Sequence, residues 1–486
     1  MADSSIKLNS SKSNNAKNKK NTTDTTSNIL SSIVSSSDLL EKSTEFQILN
    51  FVKIIGKHKG TADEIKELKN GYFTSFGTDN RLAIYDKNFN LKLQGEDVGD
   101  WIYHTLEITS QEKIERDIQI IVCTNKCLYL NSISLEKNTS RIQRYDCGGV
   151  ICLELKKNNY VICSDEGVDH FSDLFSKIIQ SKKNRLFEKP FRGGLVLNQN
   201  LVSFTSNDIL TNGEDCIKFY NPNSKKITKE ITKEYSFIVS ANGLALLESE
   251  NKELNRIFLA ACKKYYEYQK NGILIVISSF EETDSINEKF LPTDNYEPYC
   301  FCQLSLIKNE NITKGNILDN NKKDNVETIK TNYFLVGGFD GETRRGLLKL
   351  YKAYFNEKYE KTDIEFIQDI EIENITKFNE NKDNPKKDKN DDEQNKLSEE
   401  KSENSSGKKS ENKEDKKIEK LNEYKKRLFR ERNTFKGFAG PVSSIIQSSL
   451  TGNILVTCYD GFVYLLTPPN LEYYLKKDKE ERENPN

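Results

Sequence analysis

Residues 58–86 read HKGTADEIKELKNGYFTSFGTDNRLAIYD, and this stretch decides the fold. Short runs rich in β-branched and aromatic residues stop at Asn70-Gly71 and at Thr78-Asp79-Asn80, which are typical turn sequences. The stretch therefore predicts successive short strands joined by tight turns. Runs of the same kind continue from Phe46 to Leu471, and short strands at regular intervals are expected to repeat with a period of about 40 residues.

Further groups of short apolar runs follow this first group and give about seven repeats in total. Residues 299–307 fit either the end of the fifth group or the start of the sixth. The runs after the first group are residues 101–108, 117–123 and 126–133; 150–155, 160–164 and 167–171; 194–197, 201–205 and 216–220; 243–247, 256–262 and 272–278; 333–341 and 346–351; and 440–442, 445–447, 453–461 and 462–466. A helical insert is predicted within the third group, at residues 172–180.

The first repeat resembles a blade of the WD40 family. His58 stands near the family's Gly-His position, Asp79 lies in the tight turn, and Tyr85-Asp86 replaces the closing Trp-Asp pair. The resemblance implies an all-β fold, a single β-propeller of seven four-stranded blades over residues 46–470. It also implies structural roles for these four residues: Asp79 would accept backbone and His58 donors, and Tyr85 would pack between neighbouring blades.

The two ends of the repeat region predict how the ring closes. The last repeat has only three strands, whereas the strand-like residues 46–55 precede the first repeat. Pairing this early strand into the last blade would remove two exposed sheet edges. We therefore expect residues 46–55 to pair with the blade that contains Val456 and Val463.

Four polar segments interrupt or flank the repeats. Residues 1–45 are rich in Ser, Asn, Lys and Thr, and this composition predicts a disordered head. Residues 308–331 are predicted to form a loop insertion, residues 376–433 a charged, disordered or helical insertion, and residues 471–486 a charged tail. Residues 416–432 have helix-like apolar spacing and a basic face. They predict either a solvated helix or a basic amphipathic helix that docks on a partner.

Composition narrows the partners and the compartment. The net charge is −1 and no basic stripe dominates, so the sequence does not favour nucleic acid as a partner. No apolar run approaches the ~20 residues that a membrane helix needs, and the polar start lacks a signal-peptide core. The ten cysteines are scattered through strand-like runs, as expected for buried small side chains in the cytosol or nucleus.

Chemistry-bearing residues are sparse. The three histidines are His58, His104 and His170, and Asp169-His170 is the only pair that suggests acid–base chemistry. Cysteine pairs with zinc-like spacing have no second pair at a suitable distance, and the glycines at 337–341 fit a hairpin turn better than a phosphate loop. We therefore predict no catalytic, cofactor-binding or metal-binding residue, and no enzyme.

A propeller without a reaction centre is predicted to be a scaffold or adaptor that binds other proteins. The alternatives are a propeller-class enzyme, such as a hydrolase or quinone-dependent oxidoreductase, and a structural subunit of a larger complex. In WD40-like rings, the turn between the second and third strands of a blade shares a face with the connections between blades. By this resemblance, the charged segment 376–433 emerges on that face, and the predicted partner-binding residues are Arg192, Phe339, Arg344, Arg345, Phe438 and Tyr459.

Overall fold

The described residues form seven antiparallel sheets, arranged as the blades of one propeller ring. The seven-bladed propeller expected from the sequence is therefore confirmed. The computed structural model describes residues 48–108, 117–146, 149–156, 159–164, 166–171, 184–187, 191, 193–198, 201–206, 216–232, 235–237, 241–249, 256–264, 270–278, 286–308, 327–355, 362–370, 372 and 437–483.

The first strands of neighbouring blades contact one another. Each blade therefore runs from an inner strand at the channel to an outer strand at the rim. Strand β1 (Phe51–Lys57) is the exception and belongs to the last blade. The first blade contains β2 (Ala62–Glu67), β3 (Phe73–Gly77), β4 (Leu82–Tyr85) and β5 (Leu91–Gln94). The second contains β6 (Ile102–Ile108), β7 (Asp117–Thr124), β8 (Leu128–Ser134) and β9 (Thr139–Tyr145).

The next two blades follow the same order. The third contains β10 (Ile151–Lys156), β11 (Asn159–Ser164), β12 (Gly167–Phe171) and β13 (Asn184–Phe187). The fourth contains β14 (Gly193–Asn198), β15 (Leu201–Ser206), β16 (Cys216–Asn221) and β17 (Lys226–Thr232). Residues 172–180, where a helical insert is expected, lie outside the described residues. The described sequence on either side of them forms β12 and β13.

The fifth blade has an interrupted inner strand. Its first piece, β18 (Tyr235–Phe237), and its second, β19 (Leu244–Leu247), both pair with β20 (Arg256–Lys264). A 3-10 turn at Ala241–Gly243 lies between the two pieces. The blade is completed by β21 (Lys270–Ser278) and β22 (Ile286–Pro292). Because β22 supplies the outer strand, residues 299–307 do not close this blade.

The last two blades complete the ring. The sixth contains β23 (Tyr296–Lys308), β24 (Glu327–Asp340), β25 (Arg345–Tyr354) and β26 (Asp363–Ile370). The seventh contains β27 (Val442–Gln447), β28 (Ile454–Cys458) and β29 (Phe462–Leu466), with β1 as its outer strand. Within the segment 308–331, where a loop is expected, Lys308 pairs with Glu327, and residues 327–331 belong to β24.

The apolar core is divided among the seven contacts between neighbouring blades. Each contact has its own cluster of buried side chains, from blades one and two round to blades seven and one. In the last of these, Tyr85 and Phe73 of blade one pack with Leu455 and Val463 of blade seven. Each blade thus buries both faces of its sheet against its neighbours, and the ring has a continuous core.

The ring is closed as the sequence predicts. Strand β1 pairs antiparallel with β29, and the register places Phe51 opposite Leu466 and Gly56 opposite Val463. Ile48 and Leu49, which precede β1, are buried in the cluster between blades six and seven. Closure therefore depends on strand pairing and on apolar burial by the same segment.

A C-terminal helix packs beside the closing strands. The segment predicted only as a charged tail includes α1 (Glu472–Glu483). Asp478 forms an ion pair with Lys352 and accepts a hydrogen bond of 3.0 Å from the Tyr333 hydroxyl. Tyr474 donates to Gln368 at 2.6 Å. These contacts fix α1 on blade six. Because charged residues predominate in this segment, its sequence does not indicate that it packs on the ring.

The loops at the two ends of the strands define two faces. Backbone hydrogen bonds join the turns between second and third strands to the connections between blades: Thr78 to Thr61, Gly341 to Asn295, and Tyr459 to Pro441. These loops share one face, called here the upper face. The segments 1–45 and 376–433 lie outside the described residues, as does most of 308–331. In the described part of the chain, no helix has the length and apolar character needed to span a membrane.

Candidate functional site

The first blade contains a buried chain of hydrogen bonds. His58 Nδ1 lies 2.9 Å from Asp79 Oδ1, and His58 Nε2 lies 2.8 Å from Ser75 Oγ. Ser75 Oγ in turn lies 3.1 Å from the Tyr85 hydroxyl. A Cβ at position 56 would come within 2.0 Å of the Tyr85 hydroxyl, so glycine is required where β1 passes. The chain links the upper turn, the strands of blade one and the closing strand.

Asp79 and Asp86 both hold turns, at opposite ends of β4. Asp79 accepts from the backbone N–H of Lys59 at 3.1 Å, besides its bond with His58. Burial alone would raise the pKa of Asp79, but these hydrogen bonds outweigh burial and hold the pKa below its usual value. Asp86 accepts from the backbone N–H groups of Asn88 and Asn90, each at 2.9 Å. The four residues of the blade motif therefore have structural contacts.

The predicted partner-binding residues separate into buried and accessible groups. Phe438 is 0% exposed and packs on Tyr464, with ring centroids 4.9 Å apart. Arg345 is 7% exposed and lies in the interior near Tyr464. These two side chains fill the contact between blades six and seven, so they do not belong to an open surface. Residue type alone could not distinguish this interior packing from a binding role.

The remaining predicted residues are more accessible. Tyr459 is 44% exposed, at the upper turn of blade seven. Arg344 is exposed and has a φ of 55° in the turn between β24 and β25. Phe339 is half-buried on β24. Arg192 lies outside the described residues. Partner binding by Phe339, Arg344, Arg192 and Tyr459 stays a prediction.

The interrupted inner strand of blade five lines the central channel. Asn242, in the 3-10 turn, donates from Nδ2 to the backbone oxygen of Asp63 at 3.3 Å. Asp63 belongs to blade one, which is not a neighbour of blade five, so this bond crosses the channel. The turn also contacts inner strands of blades four, six and seven. The turn therefore reaches across the channel at the level of Asp63.

Aromatic and acidic side chains surround this end of the channel. Trp101 is 50% exposed and stacks on Tyr103, with centroids 5.6 Å apart. Its indole Nε1 donates to Asp63 Oδ2 at 3.3 Å. The Tyr459 ring lies 6.1 Å from the ring of Tyr299. The channel-mouth surface is defined here as Asp63, Trp101, Tyr103, Glu297, Tyr299 and Tyr459.

The charges of this surface act on one another. Burial raises the pKa of Asp63, and hydrogen bonds from Thr61 and Trp101 offset only part of that effect. Burial, with the charges of Asp63 and Glu297 nearby, raises the pKa of Tyr459 to about 12. Tyr459 therefore keeps its proton at neutral pH and presents a neutral phenol, while Asp63 and Glu297 provide negative charge.

The indole–carboxylate contact predicts a pH-dependent signal. Trp101 is the only tryptophan of the chain, so its fluorescence should change as Asp63 takes up a proton. Because the pKa of Asp63 is raised in the fold, the midpoint is expected above the usual value of ~3.9. The folded state binds this proton more tightly than the unfolded state, so this residue's contribution to stability rises as pH falls through the folded pKa.

An acid titration followed by tryptophan emission measures this midpoint. The Asp63→Asn variant should lose the transition. The Asp97→Asn variant, changed in the connection between blades that carries Trp101, should keep it. Persistence of an unchanged transition in Asp63→Asn would assign the signal to another group.

Sequence reasoning missed most of this surface. Trp101 was assigned to a strand, but it lies just before β6 in the connection between blades one and two. The sequence did contain a signal for this surface, since the only tryptophan stands beside Asp100 in a Gly- and Asp-rich connection between blades. The distance between Asp63 and Trp101 depends on ring geometry, and nothing in their sequence separation predicts it.

The residues considered for catalysis have separate, structural surroundings. Asp169 forms an ion pair with Arg185 at 2.8 Å, whereas His170 contacts Asn159, since neighbouring residues of β12 point to opposite sheet faces. His104 is buried, and burial lowers its pKa well below the usual value. The nine described cysteines are free, and burial raises the thiol pKa of Cys262 to about 12. Among the described residues, no group of three or more His, Cys, Asp or Glu side chains could hold a metal ion.

The chain was compared with known proteins by sequence. No protein-family model matches it. A search of curated proteins likewise returns no significant match. Functional inference therefore rests on the propeller geometry and on the channel-mouth surface.

Proposed function

We propose that this protein is a WD40-like interaction scaffold that binds other proteins through the channel-mouth surface. One observation carries the proposal: Trp101 and Tyr459 hold exposed aromatic rings beside the half-buried carboxylates of Asp63 and Glu297. Exposed aromatic residues on a fixed support are the usual anchors of protein interfaces, since they bury large areas at a small entropic cost.

The supporting contacts make this surface preorganised. Trp101 is held by its stack on Tyr103 and by the hydrogen bond to Asp63. The preceding backbone is also fixed, because Asp100 accepts from the backbone N–H of Lys126 at 3.2 Å. Side chains that are already ordered lose little freedom when a partner binds, and this favours affinity.

The alternatives receive less support from the described residues. An enzyme would need reactive groups that converge on one position, but Asp169 and His170 point apart. A structural subunit would be held through a broad apolar surface, whereas the exposed aromatics of the channel mouth are few and bordered by charge. Free, buried cysteines also suit a protein of the cytosol or nucleus.

Affinity capture tests the proposal. The Trp101→Ala/Tyr459→Ala double variant should recover specific partners at about one tenth of the wild-type level or less, since hot-spot residues contribute about 2 kcal/mol each. Its thermal melt should stay close to that of the wild type, because both side chains are half exposed. The measurement is quantitative mass spectrometry of the captured proteins.

Tyr473→Ala provides the matched control. Tyr473 is an exposed aromatic residue on α1, which packs on blade six away from the channel mouth. This variant should capture the same partners as the wild type. Full capture by the double variant, or equal loss in Tyr473→Ala, would reject the channel mouth as the binding surface.

A further inference from the structure

We propose that the channel-mouth surface receives an arginine side chain presented by a basic segment of the partner. This inference rests on the proposed function and specifies the chemistry of the partner. It starts from Asp63, whose carboxylate accepts from Thr61 Oγ1 at 2.6 Å and from the Trp101 indole at 3.3 Å. Within the part of the chain that the structure describes, no lysine or arginine forms an ion pair with Asp63.

Glu297 provides a contrast on the same surface. Its carboxylate already forms an ion pair with Lys263 of blade five. Asp63 has two neutral donors instead, although burial disfavours its charged form. A cation brought by a partner would compensate that burial. Asp63 is therefore the position at which an added positive charge has the largest effect.

The neighbouring rings favour a guanidinium over an ammonium. A guanidinium is planar, so it can stack on an aromatic face while it donates two hydrogen bonds to a carboxylate. The Trp101 ring is half exposed and adjoins Asp63, and Tyr459 is close enough for the charge of that carboxylate to raise its pKa. An ammonium is a compact point charge and cannot form both contacts in one plane.

The shape of the channel favours a single inserted side chain. Asn242 bonds across the channel to the Asp63 backbone, so the channel is bridged at this level. Outside the mouth, the connection that carries Trp101 also carries Glu96, Asp97 and Asp100. Their negative charge favours further basic residues on either side of the inserted arginine. It also speeds the encounter between the basic partner segment and this surface.

Peptide titration of the full-length protein tests the inference. The probe is an acetylated, amidated Gly-Arg-Gly-Arg-Gly peptide, and the readout is the emission of Trp101, the only tryptophan. Saturable change in emission is expected with this peptide. The peptide with lysine in place of arginine should bind about tenfold more weakly, and the peptide with citrulline, a neutral isostere, should give no saturable change.

Two variants locate the response. Asp63→Asn should weaken binding of the arginine peptide by about tenfold or more, which corresponds to the loss of one charged partner. Glu480→Gln, at an exposed carboxylate on α1, should bind like the wild type. Equal binding of the citrulline peptide, or wild-type affinity in Asp63→Asn, would overturn the inference. If peptide binding fails while capture still depends on Trp101 and Tyr459, this inference is wrong and the proposed function stands.

Discussion

Deletion of residues 1–57 is expected to abolish cooperative folding of the monomer. The deletion removes β1 and leaves the edge of β29 unpaired. It also removes Ile48 and Leu49 from the core between blades six and seven, where each buried side chain contributes roughly 1.5–3 kcal/mol. These losses approach the ~5–15 kcal/mol that stabilises a typical domain. Thermal melts and size-exclusion chromatography should show a lost transition and aggregation at the exposed edge.

A shorter deletion separates ring closure from general damage to the N-terminus. Deletion of residues 1–45 keeps Ile48, Leu49 and the whole of β1 in the chain. This variant is expected to melt within a few degrees of the wild type, because the removed segment is polar in composition. Similar behaviour of the two deletions, whether both fold or both aggregate, would contradict the closure of the ring by β1.

His58→Ala is expected to destabilise the fold by about 2–4 kcal/mol. His58 is fully enclosed and bonds to Asp79 and Ser75 at once, so its removal takes one hydrogen bond from each of these two groups. Each lost hydrogen bond costs about 1–3 kcal/mol. Equilibrium urea unfolding measures the difference. Lys59→Ala, at the exposed neighbouring side chain, is the control and should change stability by less than ~0.5 kcal/mol.

The same network predicts acid sensitivity with a defined sign. The pKa of Asp79 is lower in the fold than in the unfolded chain. The contribution of Asp79 to folding stability is therefore complete above the unfolded pKa of ~3.9. It is lost as pH falls through the lower folded pKa. The His58→Ala variant should lose part of this dependence. A His58→Ala protein as stable as the wild type would show that the hydrogen-bond chain does not hold blade one.

The ends of the ring could be predicted because their signals are local. Asp79 stands in a recognisable turn, and Tyr85 ends a clear apolar strand. Closure by β1 follows from an unpaired strand at each end. The fifth blade was harder to divide, because its inner strand consists of two pieces, β18 and β19, and its outer strand, β22, is mostly exposed. A run with so few buried residues carries little hydrophobic pattern.

The side chains of the proposed channel-mouth surface could be predicted less well, for a different physical reason. Phe438 and Tyr459 both lie in upper-face segments, yet the first is enclosed by blades six and seven and the second projects outward. Burial depends on packing between distant segments, which local sequence does not contain. Trp101 and Asp63 likewise meet only because the ring brings blades one and two together. Blade topology places these segments on one face, but it does not determine which of their side chains are exposed.

Hydrogen–deuterium exchange with a captured partner tests the central claim most directly. Partner binding should slow exchange in peptides covering residues 95–103 and 457–461, which carry Trp101 and Tyr459. Peptides covering α1, on blade six, should exchange at the same rate with and without the partner. Protection confined to α1 or to the outer strands, with none at residues 95–103 and 457–461, would contradict binding at the channel-mouth surface.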